Sequence, residues 1–184
     1  MGLRKNVVEA DNWFELHAFS ISRVMEIVFG LIWGIDAALK FRPEFIYNYS
    51  MLIAEGGKMQ PQWFSGWFTM WANITSSNPA LFAYFIIACE SLLALSLILG
   101  IARKIGYGLG FIFSLLIWSI PEGLGLTYGP SATNIGSGII FALVFVFLAL
   151  ISSIYGPNKY TVDFYIEKKL HVWKDIAEIR HFFT

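Results

Sequence analysis

Residues 79–102 read PALFAYFIIACESLLALSLILGIA and decide the class of the fold. Glu90 is the only charged residue in this run. A helix needs about 20 apolar residues to cross roughly 30 Å of hydrocarbon. Because lipid offers the backbone no hydrogen-bond partner, a run of this kind must form a helix. The stretch therefore predicts a transmembrane helix with one carboxylate near its middle.

Three similar stretches, at about 18–41, 105–120 and 135–155, accompany it within 184 residues. The chain is 57% hydrophobic and 14% charged, whereas soluble domains carry about 25% charged residues. Buried helices of a soluble protein are the alternative, but too few residues remain to cover four of them. We expect an all-α integral membrane protein, a four-transmembrane-helix bundle forming a single membrane domain over 1–184.

The balance of 13 basic and 13 acidic residues gives no sign of nucleic-acid binding, and the single cysteine excludes an internal disulfide. The first 17 residues contain no signal-peptide core. Basic residues favour the cytoplasmic side of membrane proteins. They predominate at both termini and in the loop between the second and third spans, so we expect a multi-pass plasma-membrane protein in contact with lipid, with both termini cytoplasmic.

The predicted outer loop, 42–78, is rich in aromatic residues. Two short amphipathic helices are expected there at the membrane interface, one from Arg42-Pro43-Glu44 and one after Pro61, separated at Gly56-Gly57. Two glycosylation sequons, at Asn48 and Asn73, fall in this loop, and the sequence leaves their use open. The tail, 160–184, is also amphipathic and is expected to lie on the cytoplasmic membrane surface or against a partner.

Charges inside spans are costly and are candidates for function. The first span carries Arg23 and Glu26 near its inner end and Asp36 and Lys40 near its outer end. Each pair has helical spacing, so simple neutralisation within the helix is the alternative to a functional role.

Glu90 has no cation within one turn of its own helix. It must be protonated or must find a partner on another helix, for which Arg23 is the expected candidate. A structural Arg–Glu tie and a proton-carrying or ligand-binding carboxylate both remain open. Arg23, Glu26 and Glu90 are the candidate catalytic residues.

Pro121 ends the third span, which places Trp118 and Glu122 near the outer boundary. With Asp36 and Lys40 at the same depth, we expect a polar outer cavity that could hold a quinone head group or a small anion. Ordinary helix capping is the alternative. No predicted span contains a histidine and no His/Cys cluster is present, so neither a bis-histidine haem nor a metal site is expected on this chain.

Three motifs resemble the DoxX/DoxD family of small four-helix membrane proteins. They are Arg23…Gly30…Gly34…Ala38-Leu39-Lys40-Phe41, Cys89-Glu90-Ser91-Leu92…Ser96-Leu97-Ile98-Leu99-Gly100…Arg103, and Tyr155-Gly156…Tyr160-Thr161-Val162-Asp163. The resemblance implies that Arg23, Lys40 and Glu90 are the family's recurring polar positions. It also implies a relation to the DoxD-type membrane subunit of thiosulfate:quinone oxidoreductase.

The sequence thus favours a membrane subunit of a quinone-linked oxidoreductase or respiratory complex, of which the thiosulfate:quinone type is one candidate. Quinone is the expected cofactor, and other subunits of the complex are the expected partners. A non-catalytic accessory or scaffold subunit of a larger oxidase or oxygenase is the alternative. A small-solute or proton transporter is a third option, weakened by the lack of an internal repeat.

Overall fold

The computed structural model describes residues 2–58, 60–126, 134–155 and 158–179. Regular structure in these residues is helical. The α-helices are α1 (Gly2–Leu39), α2 (Pro43–Lys58), α3 (Ser65–Ser76), α4 (Pro79–Leu99), α5 (Arg103–Ser119), α6 (Ser137–Tyr155), α7 (Val162–Glu167) and α8 (Trp173–Ala177). Single 3₁₀ turns at Gln62–Phe64 and Gly123–Leu126 complete them. Part of the predicted second outer loop, 127–133, and the end of the tail, 180–184, lie outside the described residues.

Among the described residues, three helical segments are long and apolar enough to cross a membrane: Leu16–Leu39, Pro79–Leu99 and Ser137–Ile154. They correspond to the first, second and fourth predicted spans. Their length and composition, and the large apolar side chains that they expose, indicate a membrane protein. The third predicted span corresponds to α5. It has 17 residues and begins with Arg103 and Lys104, and it is not one of the three.

Several predicted boundaries change. Helix α1 begins at Gly2, well before the expected start near residue 18. Helix α2 continues through Gly56-Gly57 to Lys58 instead of ending there. Glycine within a helix costs about 1 kcal/mol relative to alanine, but here it permits a close contact. A Cβ on Gly57 would lie 2.6 Å from the Cβ of Phe68, so this glycine lets α3 pack directly on α2.

The bundle is built from two helix pairs, α1 with α4 and α5 with α6. At Gly30, α1 approaches α4 so closely that a Cβ would lie 2.9 Å from the Cβ of Leu97. At Gly110, α5 makes room for the ring of Phe145 on α6. Small residues at such crossings allow the close packing on which membrane helix association depends. The shared core contains Phe29, Trp33, Leu93, Ala94, Leu97, Tyr107, Phe145 and Leu148.

Helices α2 and α3 pack on the first half of α4 and form a second apolar cluster. Its buried members are Ile46, Tyr49, Ile53, Ala83, Ile87 and Ile120. The expected helix after Pro61 is present, but Trp67 and Trp71 point into this cluster while Trp63 is 77% exposed. Much of the aromatic content of the loop therefore serves internal packing as well as the membrane interface.

The tail forms two short helices, α7 and α8, instead of one continuous amphipathic helix. It docks on the bundle where α4 ends and α5 begins: the Asp163 N–H donates to Gly100 O (3.0 Å), and Lys104 Nζ donates to Asp175 O (2.7 Å). We call this the tail end of the bundle. The opposite end, where α2 and α3 lie, is the loop end.

Candidate functional site

The charged residues within the bundle form two groups at its opposite ends. The tail-end cluster comprises Arg23, Glu26, Arg103, Tyr107 and Asp163, all of which are buried. The loop-end cluster comprises Asp36, Lys40 and Glu90, with Lys40 bonded to both carboxylates. The hydrogen bonds within each group indicate which group still has a polar atom that could exchange a proton or bind a ligand.

Arg23 is fully engaged at the tail end. It donates to Glu26 Oε2 (2.7 Å), to Leu97 O (2.7 Å), to Ile98 O (2.5 Å) and to Tyr160 O (3.1 Å). The first of these bonds is the predicted pairing within α1. The guanidinium neutralises Glu26, binds carbonyls at the end of α4 and ties the tail to α1, so its geometry is structural.

Arg103 and Asp163 complete the tail-end cluster. Asp163 accepts hydrogen bonds from Ala102 N (2.7 Å), Arg103 N (3.1 Å), Arg103 Nε (3.2 Å) and Trp173 Nε1 (2.8 Å). Arg103 Nη1 also lies 4.0 Å from Glu26 Oε1, and the same oxygen accepts a hydrogen bond from the Tyr107 hydroxyl. Asp163 thus satisfies N–H groups at the start of α5 and joins the tail to the bundle.

The expectation that Arg23 pairs with Glu90 is wrong. Glu90 Oε1 accepts a hydrogen bond from Lys40 Nζ, which also donates to Asp36 Oδ2 (2.6 Å). Arg23 lies near the end of α4, where its guanidinium donates hydrogen bonds to carbonyl oxygens. The flexible side chain of Lys40 reaches Glu90 instead. The predicted Asp36–Lys40 pair is confirmed, and it includes Glu90 as a third member.

The loop-end cluster is incompletely satisfied. Glu90 is 0% exposed, and its Oε2 atom has no hydrogen-bond partner among the described residues. The Asp36 side chain, by contrast, is 42% exposed. The cluster therefore connects an accessible carboxylate, through one ammonium group, to a buried carboxylate with spare hydrogen-bonding capacity. This is the arrangement expected of a group that exchanges protons or binds a ligand.

The predicted outer pocket is not a single site. Asp36 and Lys40 lie in one place, and Trp118 and Glu122 lie in another. Trp118 Nε1 donates to Ile135 O (2.7 Å), and Glu122 accepts from Ser137 Oγ and from Gly138 N (2.9 Å). Glu122 thus satisfies the Gly138 N–H in the first turn of α6, as a helix cap does. It also lines a separate cavity with Glu55 and Asn134, whose described lining includes neither Asp36 nor Lys40. The capping alternative describes Trp118 and Glu122 better.

A long apolar groove lies between α4 and α5. Its volume is about 770 Å³, within the range of small-molecule sites. On α4 the lining extends from Phe82 to Leu99, and at the tail end it includes Trp173. The groove exists because α4 and α5 make few direct contacts with each other along their length, each being packed mainly on its partner helix, α1 or α6.

Several polar side chains line the loop end of this groove, whereas the polar groups of Ser96 and Trp173, nearer the tail end, are bonded to Ile101 O and Asp163. Tyr49, Trp71, Thr75 and Cys89 line the loop end. The Trp71 indole N–H is buried and has no acceptor among the described residues. Burial and the negative charge of Glu90 raise the pKa of Tyr49 to about 12, so its hydroxyl remains a neutral donor. The Glu90 charge thus acts on a residue of the groove wall.

The tail contains a carboxyl group with a perturbed pKa, that of Glu167. Burial, a hydrogen bond with Glu178 and the charges of Glu178 and Asp163 raise its pKa to about 7, and Arg103 opposes this shift. Among the described residues, no group of three or more His, Cys, Asp and Glu side chains gathers in a way that could hold a metal ion.

Sequence reasoning missed Arg103, Tyr107, Asp163, Trp71 and Trp173 as members of the charge clusters or the groove. Arg103 and Asp163 appeared in the resemblance motifs, but 60 residues separate them and no periodicity links them. Trp71 belongs to the interfacial helix predicted after Pro61, but periodicity cannot distinguish a face turned to the membrane interface from one turned to a neighbouring helix.

Comparison with known proteins supports part of the resemblance. The DoxX family model matches residues 46–122, which include most of α2 and all of α3, α4 and α5, and hence both walls of the groove. This part of the chain is therefore similar to the DoxX family of membrane proteins. The motifs in α1 and near Asp163 lie outside the matched stretch. No curated protein and no solved structure matches the chain.

Proposed function

We propose that this DoxX-like chain is the quinone-binding membrane subunit of an oxidoreductase complex, and that the quinone occupies the groove between α4 and α5. The observation that carries the proposal is the groove itself, which is apolar along the helices and has at one end the Trp71 indole N–H, for which the described residues supply no acceptor. An isoprenoid quinone has the complementary form, with carbonyl oxygens on a ring and a long apolar tail.

The head group would lie at the loop end, where a quinone carbonyl accepts the Trp71 indole N–H. A buried donor without an acceptor costs free energy, so a ligand that supplies the acceptor gains affinity. The tail would follow α4 from Phe82 toward Leu99. That distance is about 25 Å, which accommodates a tail of several isoprene units.

The loop-end cluster would provide protons. Reduction of a quinone to a quinol takes up two electrons and two protons. In this proposal the electrons come from a partner subunit that oxidises the donor, thiosulfate being the donor in the DoxD-type case. The protons would enter at Asp36 and pass by way of Lys40 to Glu90, and the hydroxyl of Tyr49, which lines the groove beside Glu90, would pass them to the quinone. Arg23 and Glu26, previously grouped with Glu90, keep a structural role.

We also place α5 as a fourth transmembrane crossing, with both termini in the cytoplasm of a plasma-membrane protein. Its 17 residues extend over about 25 Å, and it lies along the whole of α6. Arg103 and Lys104 would remain on the cytoplasmic side, in agreement with the positive-inside rule. Reporter fusions at residue 1 and residue 184 test this: fusions on the same side support four crossings, and fusions on opposite sides exclude them.

The test of quinone binding uses the purified chain in nanodiscs with added ubiquinone, followed by extraction and quantification of the retained quinone. Trp71→Phe keeps the ring but removes the N–H donor. We expect about fivefold weaker binding, the equivalent of one hydrogen bond of about 1 kcal/mol. Trp63→Phe is the matched control, since Trp63 is exposed and does not line the groove.

The proposal would be overturned if the wild-type protein showed no preference for ubiquinone over phospholipid among the molecules that it retains. The accessory-subunit alternative predicts this result, together with co-purification of a large oxidase or oxygenase and a partner helix in the groove. Transport of a small solute or of protons, without quinone binding, would favour the transporter alternative.

A further inference from the structure

The outward charge of the tail differs from its composition. Between residues 158 and 179 the acids Asp163 and Glu167 are buried, at 0% and 6% exposed, whereas Asp175 is exposed and Glu178 is half-buried. Asp163 faces Arg103 and the start of α5. Of the four lysines of the same segment, Lys159, Lys168 and Lys169 are exposed and Lys174 is half-buried. The fold therefore buries two of the four acids and leaves more positive than negative charge on the outer face.

The three lysines are available for interaction. In the residues that the structure describes, none of them has a carboxylate within ion-pair distance. Two contact aromatic rings instead: Lys168 Nζ lies 4.1 Å from the Phe164 centroid and Lys159 Nζ lies 5.0 Å from that of Tyr160. Such contacts hold an ammonium group in place without neutralising its charge.

Exposed apolar side chains share this surface. Tyr160, Tyr165, Leu170 and Val172 are all more than half exposed. They belong to a segment bonded to Gly100, at the end of α4. Since α4 crosses the membrane, its end marks the boundary of the hydrocarbon, and the tail must lie at the level of the lipid head groups.

We infer that this surface, formed by Lys159, Tyr160, Tyr165, Lys168, Lys169 and Leu170, binds the anionic phospholipid head groups of the adjacent leaflet. The lysines supply the charge complementarity, and the tyrosines and Leu170 insert at the head-group boundary. The inference is independent of quinone binding, because it concerns the opposite end of the bundle from Trp71 and Glu90.

The experiment uses the full chain in nanodiscs containing equal amounts of phosphatidylglycerol and phosphatidylcholine. Bound lipids that remain after gentle detergent extraction are counted by native mass spectrometry. We expect the wild type to retain phosphatidylglycerol preferentially. In Lys168→Gln/Lys169→Gln the preference should fall by about fivefold for each lysine removed, and the effect should weaken as salt screens the charges.

Arg42→Gln/Lys58→Gln is the matched control, because it removes two exposed cations from the loop end. It should leave the preference unchanged. Equal retention of the two lipids by the wild type would overturn the inference, and this is also the result expected if the surface serves an acidic protein. An equal fall in the two double variants would overturn it too, since the effect would then follow total charge instead of this surface.

Discussion

The tail-end and loop-end clusters both bury ionised groups in an apolar bundle, but they differ in how completely those groups are satisfied. At the tail end, Arg23 and Asp163 each accept or donate several hydrogen bonds across helices. At the loop end, Glu90 has one bonded oxygen and one that finds no partner in the part of the chain that the structure describes. The difference teaches that burial of charge alone does not mark function. A saturated network holds the fold, whereas an unsaturated one retains the capacity to react.

The largest expected effect is on folding, at the tail end. Arg23→Leu would leave Glu26 without its closest cation and would free the carbonyl oxygens of Leu97 and Ile98. Breaking a buried pair from one side costs about 3–5 kcal/mol. The free energy of unfolding in detergent micelles should fall by this amount.

Arg42→Leu serves as the control for Arg23→Leu, because Arg42 is exposed and should change the unfolding free energy little. A loss no greater than that of the control would show that the tail-end cluster does not stabilise the fold, and the contrast between the clusters would disappear.

The next effect is on activity, at the loop end. Glu90→Gln keeps the size of the side chain and removes the carboxylate, while Lys40 keeps its bond to Asp36. We expect quinone reduction by the intact complex to fall about 100-fold, as for loss of a general acid or base. The protein should remain folded. Its elution profile and its retained quinone separate lost chemistry from lost structure.

Unchanged turnover in Glu90→Gln would make the loop-end cluster structural as well. Glu26→Gln provides the comparison from the other cluster: we expect it to reduce stability while the turnover of the protein that remains folded is maintained.

The smallest expected effect is a pH dependence of tail docking. The pKa of Glu167 is raised to about 7 in the folded protein from an ordinary value of 4.5. The folded state therefore binds this proton more tightly, and its contribution to stability is complete below pH 4.5 and is lost as the pH rises to about 7. Above that pH, Glu167 and Glu178 repel each other.

Hydrogen exchange of the α8 amides, corrected for the intrinsic rate at each pH, measures this change. Protection should be greater at the acidic end of that interval than above it, and Glu167→Gln should remove most of the difference. Equal pH dependence in wild type and Glu167→Gln would assign the effect to another group.

The part of the fold that hydropathy controls was predictable. Long apolar runs located α1, α4 and α6, and helical spacing predicted the Arg23–Glu26 and Asp36–Lys40 pairs, because both depend on local sequence. The partner of Glu90 was not predictable, since it depends on how far Lys40 and Arg23 reach once α1 lies against α4. The groove could not be predicted either. It forms because α4 packs mainly on α1 and α5 packs mainly on α6, and an apolar stripe on a helix does not specify which helix it contacts.

The bond between Arg103 and Asp163 has a consequence for synthesis of the chain. Asp163 leaves the ribosome 60 residues after Arg103, so Arg103 lacks this partner while α5 is being synthesised. If α5 crosses the membrane as proposed, the positive charges of Arg103 and Lys104 favour the cytoplasmic side during this interval. Asp163 binds the guanidinium only when the tail emerges. In the proposed topology, Arg103 thus first favours one orientation of α5 and then becomes a buried component of the finished protein.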